Sequence, residues 1–405
     1  MYKIAIIGFG VVGGGVADLI LKNSKEVAAL GGDEVSVKYI LDLRDFPDSP
    51  LGDRVVHDFS VIVNDPEVKC VVEAMGGSHP AYEYSVAAIK AGKSVVTSNK
   101  EVVANFGDEL LRISEEMGVC YRFEASVGGG IPIISPLIGF IKQNKISEVR
   151  GILNGTTNYI LTQMFRYGQS FESALSDAQA KGYAERNPDA DILGTDAARK
   201  IAILAAIATG ELVPVDSIHT EGIDKIRGED VAAASLIGCE IKLVGRCIVN
   251  GDNHYVAVAP FLVPRGEPLA QVNGVFNAVE VTGDPIMSAL FYGPGAGAGP
   301  TASAIVGDIA QIMRTGTHAL SPTFERGTKR LSDFDDFSSE QYVAVRGVTR
   351  DEAVAIFGNL RFINAEDECA FVTRSITERE FARAAEKLEE KGGVVLSRIR
   401  LMKSV

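Results

Sequence analysis

The hydrophobic positions in the first 130 residues alternate between short apolar runs and segments with helical spacing. The run YKIAII (2–7) ends at Gly8, as is typical of a buried parallel strand, and residues 16–30 have helical spacing. Further strands are predicted at 35–41 and 68–75, and the segments 84–100 and 108–126 each repeat a helix, a glycine stop and a strand. This alternation predicts an α/β fold with a Rossmann-type, doubly wound parallel sheet.

The pattern changes after residue 130. Two proline-containing turns are followed by a predicted strand near 148–154 and a helix near 159–165. Several strands with polar turns between them over 240–281 fit a mixed or antiparallel sheet, and a glycine-rich loop leads into a helix over 292–313. The predicted domains are a nucleotide-binding domain over 1–130, completed by about 295–320, and an α+β substrate-binding and dimerisation domain over 131–294.

The C-terminal part has its own pattern. Residues 326–340 are polar and charged and are predicted to form a linker. Residues 341–405 then predict the order β-α-β-β-α-β, in which Thr377 and Glu380 carry a capping-box signal at the start of the second helix. This order is typical of a small regulatory or interaction module.

Composition narrows the class of protein. A chain of 405 residues fits two or three domains, and its net charge of −13 argues against a general nucleic-acid binder. The apolar runs are too short to cross a bilayer and the N-terminus lacks a signal-peptide pattern, so a cytoplasmic protein is expected. The five cysteines are scattered without a CxxC pair and the five histidines form no metal-binding pattern, so no zinc site is expected.

The motif GFGVVG places Gly8, Gly10 and Gly13 directly after the first predicted strand. A GxGxxG at that position indicates dinucleotide binding, because the glycines permit a tight turn, close approach of the pyrophosphate and close packing of helix on strand. Asp42, after the second strand, suits the ribose 2′-hydroxyl of NAD, whereas Arg44 suits the 2′-phosphate of NADP. The sequence offers both, with NADP slightly favoured.

Two lysines lie in positions suited to chemistry. Lys100 of TSNK follows a parallel strand at the sheet edge where ligands bind. Asp196, Lys200, Ile203 and Ile207 share one face of a predicted helix, which would turn the charged pair inward. The alternatives are a solvated surface amine at Lys100 and an exposed ion pair that contributes a few tenths of a kcal/mol at Lys200.

Carboxylates surround the second lysine along the chain. Glu185, Asp189, Asp191 and Asp196 lie within GYAERNPDADILGTDAARK, and they suit a substrate that bears an ammonium group. Upstream, Glu124 and the small residues after it offer a carboxylate and bare carbonyls to a hard cation. The alternative for that second stretch is a tight glycine turn between domains, which the residues alone favour.

Several of these stretches together resemble homoserine dehydrogenase. They are IAIIGFGVVGGGV, VVTSNKE, FEASVGGGIPI, GILNGTTNYIL, GYAE with DAARK, and FYGPGAGAGPTA, and they span most of the first 320 residues. The resemblance implies NAD(P)-dependent interconversion of L-homoserine and L-aspartate 4-semialdehyde in threonine, methionine and isoleucine biosynthesis. Hydride adds to the aldehyde carbon while a positioned ammonium stabilises the charge on oxygen and delivers the proton.

The same resemblance implies roles for individual residues. Lys200 is the proton donor and Lys100 its partner near cofactor and substrate, so the two amines and the acids are expected to meet. The substrate is held by Glu185, Asp191, Asp196 and Thr156. The cofactor contacts are Gly8, Phe9, Gly10, Val11, Val12, Gly13, Arg44, Ser98, Lys100, Gly182 and Gly297. The resemblance also implies a monovalent cation, expected to be sodium, that is held by Glu124 with the carbonyls of Val127, Gly129 and Ile131.

This sequence departs from the family in two places. Arg186 and Asn187 replace the small residue or proline and the Asp that are commoner after GYAE. The C-terminal module resembles an ACT domain, but its first turn, RGVTRDEA, lacks the expected Pro-Gly. The sequence therefore leaves two roles open for this module, binding of an amino-acid effector and assembly of the protein. A homo-oligomer, dimer or tetramer, is expected.

Two other functions compete with the dehydrogenase. One is a nicotinamide-binding sensor without catalysis, in which Lys200 would be dispensable. The other is a semialdehyde dehydrogenase with a cysteine nucleophile. None of the five cysteines lies in a strand-to-helix turn suited to activating a thiol, which argues against the second alternative.

Overall fold

The computed structural model of the chain describes residues 1–251, 253–318, 320–325, 331–363 and 368–403. They form two compact units. The first comprises the described residues of 1–146, 202–215 and 281–328, and the second those of 147–201, 216–280 and 329–405. Among the described residues, no helix has the length and apolarity that a membrane span requires.

The predicted helices are present, but two predictions differ from the structure, and the helices over 59–63, 171–180, 189–192 and 228–236 were not predicted. Residues 16–30 form parts of two helices that meet at Asn23, and a helix over 134–143 replaces one of the predicted turns. Pro136 is the third residue of that helix, where its missing N–H is harmless because first-turn donors have no helical acceptor. The helices are α1 Val11–Lys22, α2 Ser24–Gly31, α3 Phe59–Val63, α4 Ala81–Lys90, α5 Lys100–Glu116, α6 Ile134–Gln143, α7 Gly155–Tyr167, α8 Phe171–Ala180, α9 Asp189–Ile192, α10 Thr195–Thr209, α11 Gly228–Leu236, α12 Ala298–Thr315, α13 Arg350–Phe357 and α14 Glu378–Glu390.

The strands form a parallel sheet and a mixed sheet, as predicted. They are β1 Tyr2–Ile7, β2 Val35–Leu41, β3 Val55–Val56, β4 Val68–Glu73, β5 Ser94–Thr97, β6 Tyr121–Arg122, β7 Lys145–Ile152, β8 His219–Thr220, β9 Cys239–Asn250, β10 Asn253–Pro264, β11 Phe276–Asp284, β12 Met287–Pro294, β13 Ser338–Ser339, β14 Gln341–Arg346, β15 Leu360–Ile363, β16 Cys369–Thr373, β17 Ile376–Thr377 and β18 Val394–Leu401.

The first unit is built on a six-stranded sheet in the order β3-β2-β1-β4-β5-β6, with every pair parallel. This order confirms the predicted Rossmann-type sheet, whose strand order reverses between β1 and β4. The core of this unit includes Val16 and Ile20 of α1 together with Ile305 and Ile309 of α12. Helix α12 therefore packs into the core of the first unit, although residues 123–297 separate it from β6 along the chain.

In the second unit β7, β9, β10, β18, β14, β16 and β15 are neighbours in that order. All these pairs are antiparallel except β10 with β18, which run parallel with Phe261 opposite Arg400. The predicted mixed sheet is confirmed. The C-terminal part contains the predicted strands and helices in chain order, with the short strand β17 added before α14, and it has the capping box of Thr377 and Glu380. The C-terminal strands continue the sheet of the preceding residues through β10 and β18.

The predicted linker over 326–340 lies partly outside the described residues, because the description resumes at residue 331. Within the described part, residues 334–336 form a 3-10 turn and β13 pairs with β17. The segment from 331 to 340 is therefore not a plain linker but contacts the C-terminal strands.

Candidate active site

The fingerprint turn joins β1 to α1. Gly8 has φ +90°, and a Cβ added to it would lie 2.7 Å from the carbonyl oxygen of Ala74. A Cβ on Gly13 would lie 2.0 Å from the carbonyl oxygen of Gly8, whereas one on Gly10 would meet no atom within 4 Å. The first and third glycines are thus required by packing, and the second leaves open space beside the start of α1, where backbone N–H groups attract phosphate.

The end of β2 carries both residues that bear on the choice of nicotinamide cofactor. The Asp42 carboxylate accepts hydrogen bonds from the backbone N–H of Phe9 (2.9 Å) and from Arg44 Nε (3.0 Å). The Arg44 guanidinium lowers the pKa of Asp42 to about 2. The Asp42 side chain is 11% exposed and that of Arg44 is 64% exposed, so the arginine is the more accessible of the two.

The end of β5 places Lys100 at the start of a helix. Asn99 caps α5 by accepting from the N–H of Val102 (3.2 Å), and Lys100 is the half-buried first residue of that helix. Thr97 Oγ1 donates to the buried Glu73 carboxylate at 2.5 Å, and burial raises the pKa of Glu73. Ser98, also half-buried, donates its N–H to the carbonyl of Glu73 at 3.4 Å. The predicted positions at the carboxyl edge of the sheet are therefore held by neighbouring strands.

The pair of Asp196 and Lys200 lies in the first turns of α10. Lys200 Nζ is 2.9 Å from Asp196 Oδ2 and donates to the carbonyl of Leu153 at 2.8 Å. The two side chains are only 11% and 8% exposed, and Ile203 and Ile207 on the same face are buried. The alternative of an exposed ion pair is therefore wrong. Charges buried in this way are costly unless they are paired, as these are.

Asn154, which the sequence analysis did not select, holds the acidic cluster together. Its Nδ2 donates to Asp191 Oδ1 (2.7 Å) and to Asp196 Oδ2 (3.0 Å), while its Oδ1 accepts from the N–H of Thr157 (2.9 Å). Burial raises the pKa of Asp191, the hydrogen bond from Asn154 opposes that shift, and the charge of Asp196 adds to it. An Asn directly before a helix is a capping signal, so the sequence could have pointed to this residue but not to its two acidic partners.

The remaining predicted substrate residues lie near the start of α7 and in the loop after α8. Thr156 Oγ1 donates to the carbonyl of Tyr183 at 2.7 Å, which ties this loop to α7. Gly182 has φ +73° in the turn that ends α8. Glu185 is exposed, and its carbonyl accepts from Gln179 Nε2 at 3.1 Å. The structure thus brings Asp191, Asp196 and Lys200 together and leaves Glu185 on the surface of its loop.

Glu124 is engaged with the start of α6. Its Oε1 accepts from the N–H groups of Ile133 and Ile134, both at 2.7 Å, and its Oε2 accepts from the N–H of Ser135 at 2.9 Å. The N–H of Glu124 donates to Asp308 at 2.9 Å, and burial together with the Glu124 charge raises the pKa of Asp308 to about 7. The carboxylate therefore satisfies three helix-start donors.

The other predicted cation ligands are the carbonyls of Val127, Gly129 and Ile131. All three residues are buried, and Gly129 has φ +56°. Within the part of the chain that the structure describes, no backbone hydrogen bond of a turn or loop ends at these three oxygens. Buried carbonyls need a partner, and oxygen ligands are what a hard cation takes, so this donor set fits such an ion. No group of three or more His, Cys, Asp or Glu suited to a metal occurs in the described residues.

Gly297, the last predicted cofactor contact, precedes α12 with φ +122°, and its carbonyl accepts from the N–H of Thr301 at 3.1 Å. The first unit carries the turn between β1 and α1, which is suited to binding phosphate, and an accessible arginine. The second carries a buried ammonium fixed by a carboxylate and a carbonyl, beside a further carboxylate. An ammonium held in this way can stabilise charge that develops on a substrate oxygen, and the carboxylates can bind a cationic substrate group.

Comparison with known proteins matches the N-terminal and the following part of the chain to two separate family models. A sequence model described as homoserine dehydrogenase matches residues 132–310, and one described as the homoserine dehydrogenase NAD binding domain matches residues 8–124. A curated homoserine dehydrogenase from Synechocystis is 42% identical over 316 residues, which cover 77% of this chain and 73% of the relative.

Solved structures extend the similarity to the whole fold. A homoserine dehydrogenase from Thiobacillus denitrificans superposes with a TM-score of 0.92 at 33% identity and covers 99% of this chain and 98% of its own. A hyperthermophilic archaeal homoserine dehydrogenase mutant, solved in complex with NADPH, has a TM-score of 0.66 at 29% identity and covers 76% of this chain and 97% of its own. The chain belongs to the homoserine dehydrogenase family of NAD(P)-dependent oxidoreductases.

Proposed function

We propose that Lys200 exchanges the proton with the substrate oxygen when this enzyme interconverts L-homoserine and L-aspartate 4-semialdehyde. The observation that carries the proposal is the buried cluster in which Asp196 and the Leu153 carbonyl fix the Lys200 ammonium. The test follows nicotinamide absorbance with L-homoserine: the wild-type chain turns over, and Lys200→Ala loses turnover while it still folds and binds cofactor.

The chemistry of the cluster follows from its charges. A bound nicotinamide cofactor would supply a hydride to the aldehyde carbon, and negative charge would then build on the aldehyde oxygen. Lys200 stabilises that charge and transfers a proton to the oxygen, which gives the alcohol. In the reverse direction the same amine takes the hydroxyl proton. We propose Lys100 as a second cationic group that acts on cofactor and substrate.

The substrate is an amino acid, and the acidic residues account for its recognition. We propose that Asp191 and Asp196, aligned by Asn154, bind the substrate ammonium. Glu185 and Thr156 complete the substrate contacts in this proposal. Glu185 is exposed at the end of its loop, so its contact requires the loop to present it when substrate is bound.

For the cofactor we propose a preference for NADP over NAD. Asp42 is only 11% exposed and accepts from the Phe9 N–H and from Arg44, whereas the Arg44 side chain is 64% exposed and is the more accessible of the two to a 2′-phosphate. In this proposal the start of α1 beside Gly10 would hold the phosphates, and Phe9, Val11, Val12, Ser98, Gly182 and Gly297 would be further cofactor contacts.

Replacing Arg44 with alanine is expected to raise KM for NADP about tenfold and to leave KM for NAD within twofold. A hydrogen bond to a charged group contributes about 1.5–3 kcal/mol, and the lower end applies to an exposed arginine. Initial rates with each cofactor measure the effect. Arg112→Ala is the control, since Arg112 is an exposed arginine that pairs with Glu116 on α5 of the same unit. An unchanged KM for NADP in Arg44→Ala would exclude the proposed contact.

We propose that a monovalent cation, sodium by family resemblance, is held by Glu124 and the carbonyls of Val127, Gly129 and Ile131. The buried carbonyls without a backbone partner among the described turns and loops support this proposal. Such an ion would tie the turn after β6 to the start of α6.

Adding sodium chloride to protein dialysed into choline chloride is expected to raise Tm by about 2 °C or more, because an ion that binds only the folded state stabilises it. Thermal melts at matched ionic strength measure the shift. The same melts in potassium chloride and in magnesium chloride test how the Tm shift depends on the size and the charge of the cation. An equal Tm in sodium chloride and in choline chloride of the same ionic strength would count against the site, because choline is too large to replace a small cation.

We also propose a homo-oligomeric, cytoplasmic enzyme. The edge strand β12 exposes the large apolar side chains Met287, Leu290 and Tyr292, as a surface buried by a second copy would. All five cysteines are free thiols, which suits a reducing compartment. The C-terminal module then serves assembly or binds an amino-acid effector.

A further inference from the structure

Arg400 of β18 is a buried cation that the dehydrogenase chemistry does not use. Its guanidinium is fully buried and donates from Nη1 and Nη2 to the two carboxylate oxygens of Glu221, both at 2.8 Å. It also donates from Nε to Glu378 Oε1 at 2.8 Å, at the start of α14. A planar guanidinium bound in this bidentate way fixes the position of its partner more tightly than a point charge does.

Residues 220–223, which include Glu221, are in direct contact with the turn over 192–194. The N–H of Ile223 donates to the carbonyl of Ile192 at 2.8 Å. A Cβ added to Gly222 would lie 2.3 Å from the Ile192 oxygen and 2.7 Å from Leu193 Cα. From the other side, a Cβ on Gly194 would lie 3.3 Å from the carbonyl oxygen of Glu221. The two backbones are in contact with no space between them.

The turn over 192–194 links the two carboxylates of the acidic cluster. Asp191 precedes it and Asp196 follows it, and both accept from the same amide of Asn154. A displacement of residues 220–223 is therefore transmitted to both carboxylates, since close-packed backbones move together. We propose that Arg400 is a positioning residue, which acts through Glu221 and Gly222 to hold Asp191 and Asp196 in the geometry that binds the substrate ammonium. This inference rests on the proposed role of these two carboxylates.

A second group of hydrogen bonds on β18, the clamp of Ser397 and Tyr342 on Asp230, provides a control that distinguishes the role of Arg400 from a general effect on stability. Ser397 Oγ donates to the buried Asp230 carboxylate at 2.5 Å, and Tyr342 Oη donates to the same carboxylate at 3.2 Å. This clamp also fastens the C-terminal strands, but it does so to the start of α11 and not to the segment that contacts the turn. Loosening it tests whether any weakening of the C-terminal module has the same effect.

The experiment compares Glu221→Gln, Gly222→Ala and Ser397→Ala in the full chain. Glu221→Gln removes the charge that pairs with Arg400, and Gly222→Ala pushes directly on the turn without a change at Arg400. We expect KM for L-homoserine to rise about fivefold to tenfold in both variants, with kcat within threefold and KM for the cofactor within twofold of wild type. In Ser397→Ala all three parameters stay within twofold.

Two results would overturn the inference: an unchanged KM for L-homoserine in Glu221→Gln, or a rise in Ser397→Ala as large as that in Glu221→Gln. A purely structural role would lower Tm without separating the two KM values. The proposed role of the carboxylates is tested independently by Asp196→Asn, because that variant removes a charge assigned to the substrate ammonium and leaves Arg400 and Glu221 in place. An unchanged KM for L-homoserine in Asp196→Asn would contradict that role. The two proposals therefore fail in different measurements.

Discussion

Replacing Lys200 with alanine lowers kcat for L-homoserine oxidation about 10³-fold, while KM for the cofactor stays within twofold. A positioned general acid or base contributes roughly 10²- to 10⁴-fold, and Lys200 is expected near the middle of that range because its ammonium also stabilises charge on the substrate oxygen. Removing one partner of the buried pair is expected to lower Tm, and Asp196 keeps only its hydrogen bond from Asn154 among the contacts described above, so the rates are compared below the melting temperature of the variant. Initial rates at saturating substrate and a thermal melt measure the two effects.

Two further variants separate proton transfer from charge. Lys200→Arg keeps a cation beside Asp196 but cannot release its proton, so kcat stays at least 10²-fold below wild type. Lys181→Ala removes a lysine that pairs with Asp177 at 2.8 Å in the same i,i+4 arrangement, but 48% exposed, and leaves kcat within twofold. Near-normal turnover in Lys200→Ala would exclude the lysine as proton donor and would mean that another group exchanges the proton with the substrate oxygen.

The parallel sheet of the first unit was predictable because each of its parts is a local pattern. An apolar run such as residues 2–7, a glycine stop and a helical spacing are each readable within a few residues, and the βαβ rule assembles them. Helix α6 was missed because Pro136 indicated a turn, although a proline in a first turn is also compatible with a helix.

The contacts that shape the site were less predictable because they join distant parts of the chain. The spacing of Asp196 and Lys200 predicted an i,i+4 pair, and the structure adds that Leu153, 47 residues away, receives the second Lys200 hydrogen bond. Likewise, Asn154 carried a local capping signal but no sign of Asp191 or Asp196 as partners. Long-range side-chain pairs depend on how elements pack, which periodicity does not encode.

The parallel pairing of β10 with β18 also joins distant parts of the chain, and it was not predicted for the same reason. The order β-α-β-β-α-β suggested a separate module, whereas the pairing makes its strands part of the larger sheet, with Phe261 opposite Arg400. An edge strand offers unpaired backbone groups to any suitable strand, so sequence does not specify which edge is used. The position of Arg400 beside Glu221 follows from that register and could not be read from either segment alone.

Replacing Asp196 with asparagine is expected to lower kcat/KM for L-homoserine about 10²-fold, mainly through KM. The amide has nearly the same shape, but it removes the negative charge that we assign to the substrate ammonium and that pairs with Lys200 at 2.9 Å. A charge-assisted hydrogen bond contributes about 1.5–3 kcal/mol, and Asp191 limits the loss because it remains beside Asn154. Initial rates over a range of L-homoserine concentrations measure the change.

The matched control is Asp189→Asn, which removes the same charge from an exposed residue of α9 two positions before Asp191. Its kcat/KM stays within twofold if local geometry matters and overall negative charge does not. A comparable loss in both variants would mean that the acidic stretch acts by long-range attraction of the substrate. In that case the effect would weaken steeply at high salt, because exposed charges are screened within about 10 Å at 0.1 M ionic strength. The buried contact of Asp196 with Lys200 and Asn154 predicts the opposite, a loss that persists at high salt.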